Sequence, residues 1–143
     1  MKKNKERLDH GLHNEKACVH LELNKEFSDW IITTAFYSAL QFVSYKIFPF
    51  EISTKGNKLH ILDISQYQNI SSKKELSRHT VLGDLVFKHC NEVSEDYDWL
   101  KDMSMNARYV NYQHPPEVAT KAKTLMQCIK KHCTAEKLEV SKT

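Results

Sequence analysis

Ser28–Ile47 reads SDWIITTAFYSALQFVSYKI, and no charged residue lies between Asp29 and Lys46 in this run. Its apolar side chains fall on every face of a helix, and such a helix is either central in a bundle or shared between its own core and a partner. Ser28 or Asp29 can cap the start of the helix, and Pro49 stops it soon after its end. A membrane span needs roughly 20 mostly apolar residues, whereas Thr, Ser and Gln recur through this run. We therefore predict the central helix of a bundle and no membrane association.

The composition favours a single domain built from a few long helices. The chain has 143 residues, which is enough to bury a core without disulfides or metals. Three Gly and three Pro are few for a β-sandwich or barrel, because those folds need many turn residues. We predict an all-α, up-and-down bundle of four to five helices over residues 1–134, followed by a flexible tail over residues 135–143.

Apolar periodicity and helix stops place the other helices. The expected elements are a first helix over residues 5–23, a loop over residues 50–57, a third helix over residues 58–67, a fourth helix over residues 76–112 and a fifth helix over residues 116–132. Gly11 weakens the first helix locally. Pro115 ends the fourth helix, because the residue before a proline is pushed out of the α region, and Pro116 suits the first position of the next helix.

The fourth helix carries a stripe of residues at spacings of four and three, which is the pattern of a core-facing bundle helix. The stripe consists of Val86, Cys90, Val93, Tyr97, Leu100, Ser104 and Ala107. Trp99 and Met103 form a second apolar strip beside it, and together with the uncharged second helix they exceed what one small bundle can bury. We therefore predict a homodimer, with Trp30 and Tyr97 as core or interface anchors rather than as ligand-stacking residues.

Charge is segregated along the chain, although the net charge is only +3. Residues 116–143 hold six Lys against three Glu, whereas residues 91–102 hold five acidic residues against one Lys. This segregation can weakly steer a polyanion toward the basic end. A solvated helix face is the alternative interpretation of each of these charges.

Cysteine and histidine usage predicts a reduced, cytoplasmic protein without a metal or a cofactor. The cysteines are Cys18, Cys90, Cys128 and Cys133. None of them forms a CxxC pair, and no secretory signal precedes them. His10, His13 and His20 share one face of the first helix, with Glu6 one turn earlier, but no Cys or carboxylate cluster is spaced to complete a metal site. The sequence also lacks a phosphate loop, a dinucleotide fingerprint and a nucleophile elbow.

Two runs of the sequence resemble one known family. FSDWIITTAFYSALQ, at residues 27–41, resembles the second-helix signature of the HEPN family, an aromatic-rich uncharged helix with a Trp near its start and a Phe-Tyr-x-Ala-Leu core. A later signature of that family is similar to the run that carries Tyr97, Leu100, Ser104, Ala107, Arg108 and Tyr109. Upstream, His20 and Asn24 stand where members often carry these residues. The resemblance covers residues 20–114 and implies a helical bundle that acts on nucleic acids or nucleotides.

The resemblance also implies a catalytic pair. Catalytic members carry Arg and then, after four to six residues, His; here five residues separate Arg108 from His114. In those members the two side chains come from two protomers, meet across a dimer groove and cleave RNA without a metal. The residue after the Arg is usually small and polar there, whereas it is Tyr109 here, and Gln41 stands where the family often has His. The candidate substrate-binding residues are Tyr109, Asn111 and Tyr112.

An Arg–His pair is chemically sufficient for RNA cleavage. The 2′-hydroxyl can attack its own phosphate while a His moves the protons, and an Arg fork stabilises the charge on the phosphate oxygens. Arg7 and His13 have the same spacing as Arg108 and His114. Position favours the second pair, because Arg108 closes the fourth helix and the break at residues 115–116 lets His114 turn back toward it. A helix-terminating structural role is the alternative for these two residues.

Three functions are therefore open. The first is an endoribonuclease that acts as a homodimer, in the toxin or antiviral-defence setting that the resemblance implies, with an antitoxin or a nucleotidyltransferase as partner. The second is a non-catalytic bundle of the same family that binds a nucleotide, a nucleic acid or a partner protein. The third is a structural dimerisation module whose uncharged second helix is an interface.

Overall fold

The computed structural model describes residues 2–24, 26–71 and 73–142, with side chains described up to residue 135. Its elements are α1 (Lys2–Glu22), α2 (Ser28–Ile47), β1 (Phe50–Thr54), β2 (Asn57–Ile61), α3 (Ile64–Ser71), α4 (Arg78–His89), α5 (Ser94–Tyr109) and α6 (Pro116–Lys142). A short 3-10 turn, Asn91–Val93, joins α4 to α5. The predicted all-α bundle is confirmed, with one small hairpin added to it. Along the described residues, no helix is both long and apolar enough to cross a membrane.

α2 forms the centre of the bundle, because α1, α5 and α6 all pack against it. Ile32, Phe36 and Phe42 are fully buried, as expected for a helix that is apolar on every face. α1 comes closest at Gly11, where a Cβ atom would lie 2.7 Å from the Phe42 ring. At the same crossing, Ser38 Oγ donates a hydrogen bond of 2.7 Å to the Gly11 carbonyl. Gly11 therefore permits the close approach of two helices.

The core stripe predicted on the fourth helix is confirmed, because all of its residues are buried. Tyr97 is fully buried, and this burial raises the pKa of its phenol well above the ordinary value of 10.0. Trp30 is 54% exposed, so its prediction as a core anchor is wrong, and its role at an interface stays a prediction. Trp99 and Met103 are half-buried against the core, and the Lys121 ammonium lies 4.6 Å from the centre of the Trp99 ring.

A β-hairpin occupies residues 50–61, so the predicted loop and the predicted start of the third helix are both wrong. β1 and β2 pair antiparallel with Phe50 opposite Ile61. Lys55 and Gly56 form the turn, with φ angles of 51° and 82°. Positive φ at both central residues is the geometry of tight hairpin turns, and Gly adopts it without strain. Ile61 is fully buried and fixes the hairpin on the core, so α3 begins only after it.

The single fourth helix predicted over residues 76–112 is wrong, because the chain forms two helices with a break at Cys90. This residue has φ of −145° and ψ of 61°, outside the helical region. Lys88 lies in the last turn of α4 and Glu95 in the first turn of α5, which is the charge order that helix dipoles favour at such a junction. The buried stripe continues across the break because Cys90 points into the core, where its thiol hydrogen-bonds with Cys133 of α6.

α6 begins at Pro116, as predicted for the fifth helix, and proline is favoured at the first position of a helix. It continues to Lys142, so the predicted end near residue 132 is too early. The flexibility predicted for residues 135–143 stays a prediction, because the side chains beyond residue 135 lie outside the described part of the chain.

Candidate functional site

Arg108 lies in the last turn of α5, where several contacts fix its guanidinium. Its Nε donates to the Ser104 carbonyl over 3.2 Å, and its Nη1 donates to the hydroxyls of Tyr37 over 2.8 Å and of Tyr109 over 3.4 Å. The guanidinium carbon lies 5.3 Å from the centre of the Tyr37 ring and 4.9 Å from that of the Tyr109 ring, within cation–π range. Among the described residues Nη2 has no partner, so this nitrogen can donate to an incoming oxygen.

Two open cavities meet at Trp30, on the surface beside Arg108. The first, of about 220 Å³, lies between α2 and the end of α5 and has Asp29, Arg108 and Tyr112 in its wall. The second, of about 340 Å³, lies between α1 and α2 and has Gln41 in its wall. Trp30 and Thr33 line both cavities, so the two are direct neighbours, and we name them together the Trp30 groove.

Three aromatic side chains around this groove face solvent. Trp30 is 54% exposed, Tyr109 74% and Tyr112 67%, so their rings are available to a bound molecule. Aromatic rings beside an arginine are the features on which single-stranded nucleic acids bind, because bases stack on the rings and phosphates pair with the guanidinium. The groove therefore has the chemistry of a nucleic-acid surface.

His114 lies between α5 and α6, and its Nε2 atom is buried without a hydrogen-bond partner among the described residues. Arg108 makes its hydrogen bonds and ring contacts with Tyr37, Ser104 and Tyr109, so within one chain no such contact joins it to His114. An unpaired buried polar atom costs free energy, and catalytic sites are among the places where proteins keep one. The Arg108–His114 pair stays a prediction, and a second protomer would have to complete it.

The three predicted substrate-binding residues have different surroundings. Tyr109 contacts the guanidinium of Arg108, and Tyr112 lines the smaller cavity. Asn111 is exposed in the turn after α5, where its Oδ1 accepts a hydrogen bond of 2.9 Å from the backbone of Gln113. The fold thus brings the two tyrosines to Arg108, whereas Asn111 shapes the segment that follows.

His79, which sequence patterns do not single out, is a histidine that the fold brings close to Arg108. It lies in the first turn of α4, and its ring centre is 5.3 Å from that of Phe36 and 5.9 Å from that of Tyr37. Burial, and then the charges of Arg108 and Lys101, hold the pKa of His79 below its ordinary value of 6.5. The imidazole is therefore neutral at pH 7. No local signal predicts this, because α4 meets α2 only in the folded bundle.

In the competing Arg7–His13 pair, Arg7 lies elsewhere on the bundle, whereas the His13 ring is 6.5 Å from that of His10, which lines the larger cavity. Arg7 donates hydrogen bonds of 2.7 Å to Asn4 Oδ1 and to the Leu62 carbonyl. Its guanidinium carbon also lies 5.0 Å from the centre of the Phe48 ring. Arg7 therefore fastens α1 to the hairpin region, which is a structural role.

Ion pairs reduce the basic character expected at the C-terminal end. Lys123 Nζ lies 2.7 Å from Glu22 Oε1, and Lys130 Nζ lies 2.8 Å from Glu15 Oε1. These two lysines of α6 are therefore paired with glutamates of α1. The field that reaches a polyanion is correspondingly weaker than the number of lysines suggests. Among the described residues, no group of three or more His, Cys, Asp or Glu side chains could hold a metal ion.

No protein-family model, curated protein or solved structure matches this chain significantly. The function of the Trp30 groove is therefore inferred from its own chemistry. That chemistry combines a fixed guanidinium, one carboxylate (Asp29), exposed aromatic rings, uncharged amide and hydroxyl side chains, and a neutral imidazole in the neighbourhood.

Proposed function

We propose that this protein is a metal-independent endoribonuclease of the HEPN type, which acts in the cytoplasm on single-stranded RNA as a homodimer. The observation that supports this most is the guanidinium of Arg108, which two tyrosine rings hold at the edge of the Trp30 groove. Arginine binds phosphate oxygens in a bidentate manner and stabilises the charge that develops on them during cleavage. The exposed rings of Trp30 and Tyr112 offer stacking surfaces for the neighbouring bases.

Cleavage also requires groups that accept and donate protons. The RNA 2′-oxygen attacks the adjacent phosphorus and gives its proton to a base, while the bond from phosphorus to the 5′-oxygen breaks and that oxygen takes up a proton. The products are a 2′,3′-cyclic phosphate and a 5′-hydroxyl. His114, brought to Arg108 in the dimer, is the proposed proton carrier, because an imidazole exchanges protons near neutral pH. Arg108 and His114 together supply the charge stabilisation and the proton transfer, so this mechanism needs no metal.

The exposed end of α5 supports a dimer. Met105, Tyr109, Val110 and Tyr112 are between 44% and 75% exposed. Large apolar and aromatic side chains exposed together usually mark an interaction surface. A two-fold contact at this end would bring two Arg108 side chains into one interface. In the toxin or antiviral-defence setting that the resemblance implies, an antitoxin or a nucleotidyltransferase is the expected further partner.

The lack of a hydrogen bond or ring contact between Arg108 and His114 within one chain favours a second candidate function. Because no hydrogen bond or ring contact joins His114 to Arg108 within one chain, the groove could bind RNA or a nucleotide and leave it uncut. The protein would then be a non-catalytic bundle of the same type. Arg108 and the exposed rings would keep their roles in binding, and only the proton carrier would be missing.

An end-labelled single-stranded RNA incubated with the purified protein and EDTA separates the two candidates. Fragments that end in a 2′,3′-cyclic phosphate support the ribonuclease. A DNA of the same sequence is the matched control and should stay intact, because it has no 2′-hydroxyl. Binding of RNA without cleavage supports the second candidate, and the absence of both binding and cleavage across a set of RNA sequences contradicts both.

A further inference from the structure

The larger cavity of the Trp30 groove is uncharged and holds two amide side chains with unused hydrogen-bonding capacity. Asn14 on α1 and Gln41 on α2 line it, and neither amide has a hydrogen-bond partner among the described residues. The two threonine hydroxyls in the wall, unlike the amides, already donate hydrogen bonds within α2. Thr33 donates to the Asp29 carbonyl over 2.8 Å, and Thr34 donates to the Trp30 carbonyl over 2.7 Å. The free polar groups of this cavity thus include two amides, each with donors and an acceptor.

We infer that this cavity is a nucleobase-binding subsite, in which a base stacks on Trp30 and its edge bonds to the amides of Asn14 and Gln41. The inference rests on the proposed action on RNA and names the part of the substrate that this cavity takes. Side-chain amides recognise bases because they donate and accept at neighbouring positions, as the edge of a base does. Trp30, predicted from sequence as a core or interface anchor, acquires a ligand-binding role here.

The size of the cavity fits one base. Its volume is about 340 Å³, at the lower end of the range of roughly 300–1,000 Å³ that is usual for small-molecule sites. In the described part of the chain, no Asp, Glu, Lys or Arg side chain lines this cavity, and His10 is one of its lining residues. An uncharged wall suits the neutral base of a nucleotide and does not suit its phosphate.

The phosphate of the same nucleotide has a separate place. Trp30 and Thr33 belong to both cavities, so a base in the larger cavity directs its sugar and phosphate toward the smaller cavity that holds Arg108. Tyr37 links the two, because its side chain lines the larger cavity while its hydroxyl accepts a hydrogen bond of 2.8 Å from Arg108 Nη1. One nucleotide can therefore contact the stacking ring, the amides and the guanidinium together.

Fluorescence of Trp30 tests the subsite directly. Trp99 is the second of the two tryptophans in the chain, so a Trp99→Phe protein, checked for a native circular dichroism spectrum and melting, reports on Trp30. The four ribonucleoside monophosphates and ribose 5-phosphate are the probes. Stacking of a base should quench the emission, and one base should bind more tightly than the others. Ribose 5-phosphate, which has no base, should not quench.

Amide variants test the edge contacts in the same background. Gln41→Leu and Asn14→Leu should each weaken the preferred nucleotide about 3- to 10-fold, the effect expected for the loss of one hydrogen bond. Gln127→Leu is the matched control, because Gln127 is an exposed glutamine on α6 that lies outside the groove. Three results would each overturn the subsite. Ribose 5-phosphate would quench as strongly as the nucleotides, Gln41→Leu and Gln127→Leu would have equal effects, or the emission would follow the protein concentration instead of the nucleotide concentration.

Trp30 quenching and RNA cleavage test the base subsite and the ribonuclease separately. If the wild-type protein cuts RNA but no nucleotide quenches Trp30, the base subsite is wrong and the ribonuclease stands. If nucleotides quench Trp30 with a base preference but RNA stays intact, the subsite stands and cleavage is wrong.

Discussion

Tyr37 contacts Arg108 in two ways, because its hydroxyl accepts a 2.8 Å hydrogen bond from Nη1 and its ring centre lies 5.3 Å from the guanidinium carbon. Tyr37 belongs to the central helix α2, whereas Arg108 lies in the last turn of α5. His79 of α4 contacts the same ring, at 5.9 Å between centres. Three helices therefore meet at one phenol, and the core of the bundle sets the position of the proposed phosphate-binding group.

Tyr37→Phe should weaken RNA binding about 3- to 10-fold, because it removes one hydrogen bond to Arg108 and keeps the ring beside the guanidinium. The melting temperature should change little, since the aromatic ring stays in place. Fluorescence anisotropy with a labelled single-stranded RNA measures the change in Kd. Tyr109→Phe is the control, because the hydroxyl of Tyr109 is 3.4 Å from Nη1 and should matter less. A larger effect at Tyr109 than at Tyr37 would contradict this account of how Arg108 is held.

Arg108→Ala and His114→Ala should each abolish RNA cleavage while the fold and the dimer persist. Removal of one oriented group that stabilises the transition state costs roughly 10²- to 10³-fold in rate, and loss of acid–base catalysis costs roughly 10²- to 10⁴-fold. Arg108→Lys should not restore full activity, because an ammonium lacks the bidentate fork. Single-turnover cleavage of labelled RNA gives these rates, and light scattering gives the oligomeric state.

The controls for this prediction use the second pair with the same spacing. Arg7→Ala should lower the stability of the hairpin region and should not slow cleavage by folded protein, because Arg7 contacts Asn4, Leu62 and Phe48, away from the groove. His13→Ala completes the comparison, and it is the less distant of the two, because the His13 ring lies 6.5 Å from that of His10 in the wall of the larger cavity. Equal losses at both pairs would reject the assignment. A loss at His79→Ala without one at His114→Ala would instead assign the proton transfer to His79.

The sequence predicts the central helix well, and the reasons are physical. α2 spans Ser28–Ile47 as predicted, because an uncharged run of this length has one stable way to bury its side chains. The hairpin is missed although FEIST and NKLHI alternate apolar and polar residues, because Leu59 and Leu62 also have a helical spacing, which the prediction followed. The break at Cys90 is missed because Cys90 stays buried, so the apolar residues keep their spacings of four and three across it. A signal of the break is present, because a basic residue such as Lys88 is favoured where a helix ends and an acidic residue such as Glu95 where the next one begins.

The site is less predictable than the fold. Arg108 and Tyr109 are found from sequence because they stand together in a short motif near a helix end. His79 and Tyr37 are 42 positions apart, and their contact depends on how α4 crosses α2. Asn14 and Gln41 likewise come together only because Gly11 lets α1 lie close against α2. Residues that cooperate through tertiary contacts leave no local pattern to recognise.

The free energy of unfolding should decrease as the pH falls through the range just below 6.5, and protonation of His79 should account for part of the decrease. Burial, and then the charges of Arg108 and Lys101, lower the pKa of this imidazole in the folded state below its ordinary value of 6.5. Well above pH 6.5 the group is neutral in both states and has no effect. Below it the unfolded chain binds more protons at this position, so the free energy of unfolding decreases until the folded imidazole is also protonated.

Urea denaturation at several pH values between 7 and 5 measures this loss, and His79→Gln should make the dependence on pH shallower. The titration of His79, followed by nuclear magnetic resonance, gives the pKa directly. A midpoint at or above 6.5 for this imidazole would show that the buried environment does not disfavour its charge.

Gly11→Ala should destabilise the fold, because the new Cβ would lie 2.7 Å from the Phe42 ring at the closest approach of α1 and α2. Overpacking of this kind costs about 1–3 kcal/mol. Gly83→Ala is the matched control, because its Cβ would meet nothing closer than Asp98 at 3.4 Å and alanine favours a helix by about 1 kcal/mol over glycine. Thermal unfolding should therefore show a lower melting temperature for Gly11→Ala and an equal or higher one for Gly83→Ala. Gly11→Ala gains the same helix propensity, so the comparison with Gly83→Ala isolates the clash. If Gly11→Ala is as stable as Gly83→Ala, the two helices are not in the contact described, and the cavity between them that holds Asn14 and Gln41 loses its structural basis.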